Sequence, residues 1–277
     1  MLTNNNPISF KEAYPLVSIL IPCYNHEKYI TEALDSIIDD EYANKEIIII
    51  DDGSRDNSVR LIESWIDLNQ AAKVKFVKRP NKGLCATLNE LVQIAEGKYL
   101  VVLASDDILC NNTLTERVRV LENNASKLVL VSDAMVINSE GVTIHESILR
   151  DFHNADKSNY FSDETILDEI IFRFSISGAV VMMNREIFNL IGPYPEDLKA
   201  EDLYFYLKSA SLNKLMFLDR IVSKYRIHQN NTSGTNPELS KTVIKTYLRT
   251  VRTIPGFKRK LKVFKRIAGI IYSILKH

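Results

Sequence analysis

From Leu16 to about Val131, short apolar runs alternate with amphipathic stretches of helical length, and this alternation most narrows the folds open to the chain. Residues 17–21, 46–50, 74–77 and 99–103 read as strands, and 27–38, 59–68 and 84–95 as the helices between them. Helical segments of that length between strands are the crossovers that a parallel sheet requires, so the first half is expected to build βαβ units of a Rossmann-like layer.

Two of these strands run into acidic turns, Asp51-Asp52-Gly53-Ser54 and Ser105-Asp106-Asp107. In an open α/β sheet, ligands bind in the crevice at the carboxyl ends of the strands, where such carboxylates suit a nucleotide and its metal ion. Asp51 and Asp52 can accept hydrogen bonds from a nucleobase or a ribose, with Gly53 permitting the tight turn. Alternatively they shape the turn while Asp56 or Asn57 caps the next helix. Adjacent Asp106 and Asp107 repel unless exposed, capped or offset by a cation. A hard ion such as Mg²⁺ or Mn²⁺ is held by one or two carboxylates plus phosphates, and the competing reading is a helix start.

At 277 residues, 45% of them hydrophobic and 25% charged, the chain is large enough to bury a substantial core. The formal net charge is zero, but no Asp or Glu follows Glu238. Eleven Lys and Arg lie beyond it, leaving the body 24 basic against 35 acidic residues. Cys23, Cys85 and Cys110 show no metal or disulfide spacing, which fits a reducing compartment. With a polar opening at Thr3-Asn4-Asn5-Asn6-Pro7 and no apolar run long enough to span a bilayer, the expected location is cytoplasmic.

Further along, 112–123 reads as a helix and 128–131 as a strand. The polar stretch 139–163 reads as an irregular insertion over a cleft. Residues 177–183 read as a strand entering a helix at Asn184, 200–211 as a helix, and 215–218 and 221–227 as two strands. Glu201-Asp202 opens the helix at 200–211, where acids either favour the helix dipole or place a general base near an acceptor hydroxyl. His228 has no second histidine at ligand spacing, and a lone histidine is more often a packing residue than a ligand.

Taken in order, Val17-Ser18-Ile19-Leu20-Ile21-Pro22-Cys23-Tyr24-Asn25, the Asp-Asp-Gly-Ser turn, Asn81-Lys82-Gly83 with Asn89, Ser105-Asp106-Asp107 and Glu201-Asp202 closely resemble the family 2 glycosyltransferases of the GT-A fold. The resemblance covers roughly residues 15–230. It implies an α/β Rossmann-like central mixed sheet flanked by helices, and an inverting transfer from a nucleotide-diphosphate sugar, usually a UDP-sugar, with Mn²⁺ or Mg²⁺ on the diphosphate. By motif position, Pro22, Tyr24 and Asn25 would border the nucleotide and Asp52 would contact the base. Asn81 to Gly83 and Ser105 would line the donor, Asp106 would bind the metal, and Asp202 of the Glu201-Asp202 pair would be the catalytic base. Tyr225-Arg226-Ile227-His228 resembles a segment whose His completes the metal site. Ala104 departs from the family by replacing the first Asp of Asp-x-Asp.

The catalytic domain is expected over 1–236, with a nucleotide-binding half at about 15–133 and an acceptor-binding half at about 134–236. Residues 237–277 are expected to form a basic helical tail, with helices at 239–253 and 257–275. The second is amphipathic, through Phe257, Leu261, Phe264, Ile267, Ala268, Ile271 and Ile274 or Leu275. Such a helix suits an anionic membrane surface, so the expected acceptor is a polyprenyl-diphosphate-linked glycan of O-antigen, capsule or other surface-polysaccharide synthesis at the inner face of the plasma membrane. The alternative is that the tail packs on the domain or joins copies. A pyrophosphorylase is disfavoured because Pro22-Cys23-Tyr24-Asn25-His26-Glu27 is no Gly-rich basic loop. Nucleic-acid binding is disfavoured by an acidic body and few aromatics in the tail. Ala104 leaves open a catalytically weak sugar-nucleotide-binding or scaffold protein.

Overall fold

The computed structural model describes residues 14–198, 201–229, 231 and 237–276; the polar opening segment, Ala200 and the expected boundary at 236 lie outside them. The apolar runs of the first half form β1 (Val17–Cys23), β2 (Lys45–Asp51), β3 (Val74–Lys78) and β4 (Tyr99–Val102), linked by α1 (Ile30–Ile38), α2 (Ser58–Leu68) and α3 (Leu84–Ile94). These four strands are mutually parallel, in the order β3-β2-β1-β4. Both sheet faces are covered, because successive side chains of a strand point to opposite sides. Ile19, Ile21, Ile47 and Ile49 pack with Ile30, Leu34, Ile62 and Trp65 on one face, and Leu20, Ile48 and Ile50 with Leu88 and Leu91 on the other. Full burial of such side chains is worth roughly 1.5–3 kcal/mol each.

The chain continues through β5 (Ile108–Leu109), α4 (Leu114–Glu122), β6 (Val129–Ile137), β7 (Thr143–His145), α5 (Ile166–Phe172), β8 (Val181–Asn184), α6 (Ile187–Ile191), α7 (Glu201–Ser211) and β9 (Leu215–Arg226). β8 lies antiparallel between β4 and β6, β9 runs parallel to β6, and β5 pairs antiparallel with the outer edge of β9. The sheet is therefore mixed, and β1, β2, β4, β6 and β9 all deliver their carboxyl ends to the same edge.

Several expectations change. The helix expected from residue 112 begins at Leu114, because Asn112 takes a left-handed φ of +59°. The two strands expected at 215–218 and 221–227 are one continuous β9, whose middle is absorbed by register shifts against β6 around Asp133. The helix expected at Asn184 starts only at Ile187, after a 3-10 turn at Gly178–Val180 and β8. The stretch 139–163 is less irregular than its polarity suggests. It holds β7, a π turn at Ile148–Phe152 and a 3-10 turn at Lys157–Tyr160, and it buries Ile148, Leu149, Ala155 and Tyr160. Buried Asp133 organises it, accepting hydrogen bonds from Ser147 Oγ (2.5 Å) and Leu149 N (3.2 Å) and pairing with Lys157 Nζ (3.0 Å).

The tail forms α8 (Pro237–Thr250) and α9 (Phe257–Lys276). It packs on the body: Tyr247, Ile254, Val263 and Ile267 join the core, Tyr247 Oη donates to the Ile171 carbonyl (2.7 Å), and Arg259 and Lys262 hold Asp168 at 2.9 and 2.8 Å. The apolar residues of α9 divide between two faces. Val263, Ile267 and Ile270 face inward, whereas Phe257, Leu261, Phe264, Ile271 and Leu275 stay exposed, Phe257 and Leu275 by about 80%. Among the described residues, no helix is long and apolar enough to cross a membrane.

Candidate functional site

The turns after β1 and β2 clasp each other. Asn25, at φ +56°, donates its N–H to Ser54 Oγ (2.8 Å) and accepts from Arg55 N through its side chain (2.8 Å). His26 N donates to Ser58 Oγ (2.9 Å) and Glu27 N to Asp56 (3.0 Å). Asp51 accepts the N–H groups of Gly53 and Ser54, and so plays the turn-shaping role. Tyr24, which follows Pro22 and Cys23 at the end of β1, is left 43% exposed.

Asp52 is buried and fully engaged. Its carboxylate binds the Arg79 guanidinium and accepts the backbone N–H of Lys82 (2.8 Å) and of Gly83 (2.9 Å). It thereby fastens the Asn81–Gly83 loop against the end of β2, and a base contact by Asp52 would have to share these partners. Gly53 is required for that approach: with φ +81°, a Cβ there would lie 2.8 Å from Asn81 N.

The second acidic turn precedes β5, and α4 opens only at Leu114, so Asp106-Asp107 does not start a helix. Asp107 is buried, and desolvation together with Asp106 pushes its carboxyl well above the usual range. It accepts the Arg226 backbone N–H (2.8 Å). The Arg226 side chain, 1% exposed, donates from Nε to the Asp106 carbonyl (2.8 Å) and from Nη1 to the carbonyls of Asn138 and Ser139 (both 3.3 Å). It also pairs with Glu32 (2.6 Å) and lies 4.8 Å from the centre of the Tyr29 ring. This one residue ties α1, the acidic turn and the ends of β6 and β9 together.

His228, two residues past β9, is brought to Asp106, with Nε2 3.0 Å from Oδ2. A third group joins them. His26 Nδ1 lies 2.7 Å from Ser105 Oγ and 3.8 Å from Asp106 Oδ1, and burial lowers the pKa of this imidazole, favouring its neutral form. The donor atoms of His26, Asp106 and His228 all fall within 4.8 Å of one another, a spacing that fits one divalent ion. A cleft of about 620 Å³, lined by Asn25, His26, Tyr29, Asp56, His228 and others, opens beside them. Sequence reasoning missed His26. The only local signal was a histidine in the turn after the first strand, and the fold alone sets it beside His228.

Glu201 and Asp202 stand in the first turn of α7. Both keep a window to solvent but are otherwise hemmed in by protein, and desolvation raises Glu201 to about 8 and Asp202 to about 6, their mutual repulsion adding to Glu201. Their charges are felt by Cys85, at the start of the helix that follows the Asn81–Gly83 loop, and by Tyr194. Asn89 of the same helix fixes Tyr194, accepting its N–H (2.8 Å) and donating to its carbonyl (2.9 Å). The acid pair thus sits beside the loop that Asp52 fastens. A carboxylate with a pKa near neutrality is suited to general-base work. Cys23 and Cys85, buried and pushed up to about 12, are poor nucleophiles.

Residues 18–191 match the family model described as Glycosyl transferase family 2. An uncharacterized glycosyltransferase of Haemophilus influenzae is 30% identical over 243 residues, covering 84% of this chain and 72% of the relative. Glycosyltransferase GlyG of Streptococcus pneumoniae is 25% identical over 240 residues, covering 81% and 75%. Among solved structures, S. aureus TarS 1-349 in complex with UDP-GlcNAc superposes with a TM-score of 0.70 at 19% identity, over 93% of this chain and 72% of that one. Mannosyltransferase PcManGT from Pyrobaculum calidifontis, in complex with GDP-Man and Mn²⁺, gives 0.70 at 17% identity, over 93% and 70%. The two structures share the mixed sheet and flanking helices expected of the GT-A fold, and the family match spans most of the chain, which therefore belongs to glycosyl transferase family 2.

Proposed function

We propose that the chain is a metal-dependent, inverting transferase that moves a sugar from a UDP-sugar to a hydroxyl of a lipid-linked glycan in surface-polysaccharide assembly. The observation that carries the reading is the convergence of Asp106 and His228 on the crevice at the strand ends, and the Asp52-fastened loop at the end of β2 and the acid pair whose charges reach Cys85 support it. The nucleotide-sugars named for TarS and PcManGT support the donor class, and the Mn²⁺ named for the latter supports the metal.

In this reading Tyr24 and Pro22 border the base, Asn25 braces the turn beneath it, and the Asn81–Gly83 loop and Ser105 line the donor. Asp202 takes the proton of the acceptor hydroxyl as its oxygen bonds to the anomeric carbon and the bond to the diphosphate breaks. Glu201, held protonated near neutral pH, keeps a second negative charge away from that base. Asp106 and His228 would hold a divalent cation, which when bound would supply positive charge to the departing diphosphate.

A panel of nucleotide-sugars with Mn²⁺ tests this, scored for release of nucleoside diphosphate. One donor is expected to be turned over slowly without acceptor, and Asp106→Ala to lower that rate by at least about 10²-fold, as expected on losing electrostatic stabilisation of a leaving group. Tight nucleotide binding without turnover on any lipid-linked acceptor would favour the binding or scaffold reading that Ala104 permits.

The exposed stripe of α9 supports the membrane part. Phe257, Leu261, Phe264, Ile271 and Leu275 recur at spacings of three, four or seven residues, which keeps them on one helical face, bordered by Lys258, Lys265 and Lys276. With no acid after Glu238, two copies of the helix would repel, whereas anionic lipid attracts it. Because Val263 and Ile267 are core residues, removing the helix would open the body, and the discriminating variant changes only exposed positions. Phe264→Glu combined with Leu275→Glu is expected to abolish cosedimentation with phosphatidylglycerol vesicles and leave the melting temperature unchanged. Equal binding by variant and wild type would remove the membrane reading.

A further inference from the structure

We propose that His26 is a third ligand of the divalent cation, making with Asp106 and His228 a site of two imidazoles and one carboxylate that prefers Mn²⁺ and related transition ions to Mg²⁺. The inference rests on the metal-dependent reading above and extends it to a residue outside the assigned motif positions.

The geometry points to His26 in three ways. First, the spacings fit. Nitrogen and oxygen donors lie about 2.0–2.2 Å from a first-row ion, so neighbouring donors around one ion stand roughly 3–4.5 Å apart. Here His228 Nε2 is 3.0 Å from one Asp106 oxygen, His26 Nδ1 is 3.8 Å from the other, and all three donors lie within 4.8 Å of one another.

Second, the His26 imidazole is held in place. Its backbone N–H is fixed to Ser58 Oγ and the next N–H to Asp56, and its ring meets the His228 ring edge-on with centroids 5.6 Å apart. The Ser105 hydroxyl, 2.7 Å from Nδ1, can rotate away and release that nitrogen without moving the ring. Third, His26, Asp106 and His228 follow β1, β4 and β9, so three strand ends of one sheet supply the donors. Imidazole nitrogen is a good ligand for transition ions, whereas Mg²⁺ demands oxygen and keeps its waters.

The test is Mn²⁺ binding to the full chain, measured by electron paramagnetic resonance with and without UDP. Electron spin echo modulation counts the histidyl nitrogens on the bound ion. Wild type is expected to show two, and His26→Gln and His228→Gln one each. The Mn²⁺ dissociation constant of His26→Gln should rise about 10-fold or more, with a matching loss of preference over Mg²⁺. Glutamine can keep a hydrogen bond to Ser105, so an unchanged melting temperature certifies the fold; His26→Asn serves if it does not. One nitrogen in wild type, with unchanged Mn²⁺ affinity in His26→Gln, would overturn the inference and leave the metal reading standing. No Mn²⁺ binding by wild type even with UDP would overturn both.

Discussion

Asp202→Asn is expected to lower transfer at saturating donor and acceptor by 10²–10⁴-fold while raising the melting temperature. The two effects have one cause. Burial holds the Asp202 carboxyl at about 6, above its ordinary 3.8, so between those values the unfolded chain releases a proton that the folded chain keeps. Stability therefore falls as pH rises from about 4 to about 6, and the deficit persists at neutral pH. An amide has no such deficit, and it also removes the charge that helps to raise Glu201.

Allowing for the partial exposure of the pair, the gain is on the order of 1 kcal/mol, or a few degrees in a chain of this size. It should grow across pH 4–6 and vanish below pH 4. The wild-type rate should rise with pH on a limb near 6. Calorimetry of both proteins from pH 4 to 7, alongside the pH–rate profile, checks all three statements. A destabilised variant would remove the raised carboxyl, and unimpaired turnover would remove Asp202 from the role of base.

Arg226→Ala should be the most damaging single change to the fold outside the apolar core. It strips the donors from the Asp106, Asn138 and Ser139 carbonyls and leaves Glu32 without its partner. Glu32 is half exposed and loses little, but the carbonyls lose a buried donor and buried Asp107 loses a compensating charge, so the cost is on the order of 3–5 kcal/mol, a drop of roughly 6–15 °C here. Arg226→Lys should recover less than half of the loss, because a single ammonium cannot reach four acceptors on different elements as a planar fork does. Full recovery by lysine in thermal unfolding would mean that charge alone matters at this position.

The parts of the site that were legible in the sequence are those fixed locally. The ends of β1, β2 and β4 could be read because continuous apolar runs stop at Asn, Asp and Gly, and the helices between them carry their own periodicity. β5 could not, since two residues become a strand only by pairing with β9. The division of β9 into two strands followed the polar Asp219-Arg220, whereas pairing with β6 across a register shift carries the strand through them. α5 went unassigned although Ile166, Leu167, Ile170 and Ile171 have helical spacing. The two faces of α9 could not be separated without knowing what it packs on. Arg226 lay inside a segment noted for His228, and only the folded contacts reveal how many partners it has.

The placement of β9 also bears on how the protein is made. His26, Asp106, Arg226 and His228 are drawn together from across more than 200 positions, and β9 enters the sheet between β6 and β5. During synthesis, the first 133 residues can form their parallel strands while the corner proposed to hold the ion is still missing two of its members. That corner closes only when the last strand leaves the ribosome and threads into its slot, a long-range step that contact order makes slow. A nascent or truncated chain ending before residue 226 would have the start of a nucleotide crevice and no finished centre, so partial products should be catalytically silent.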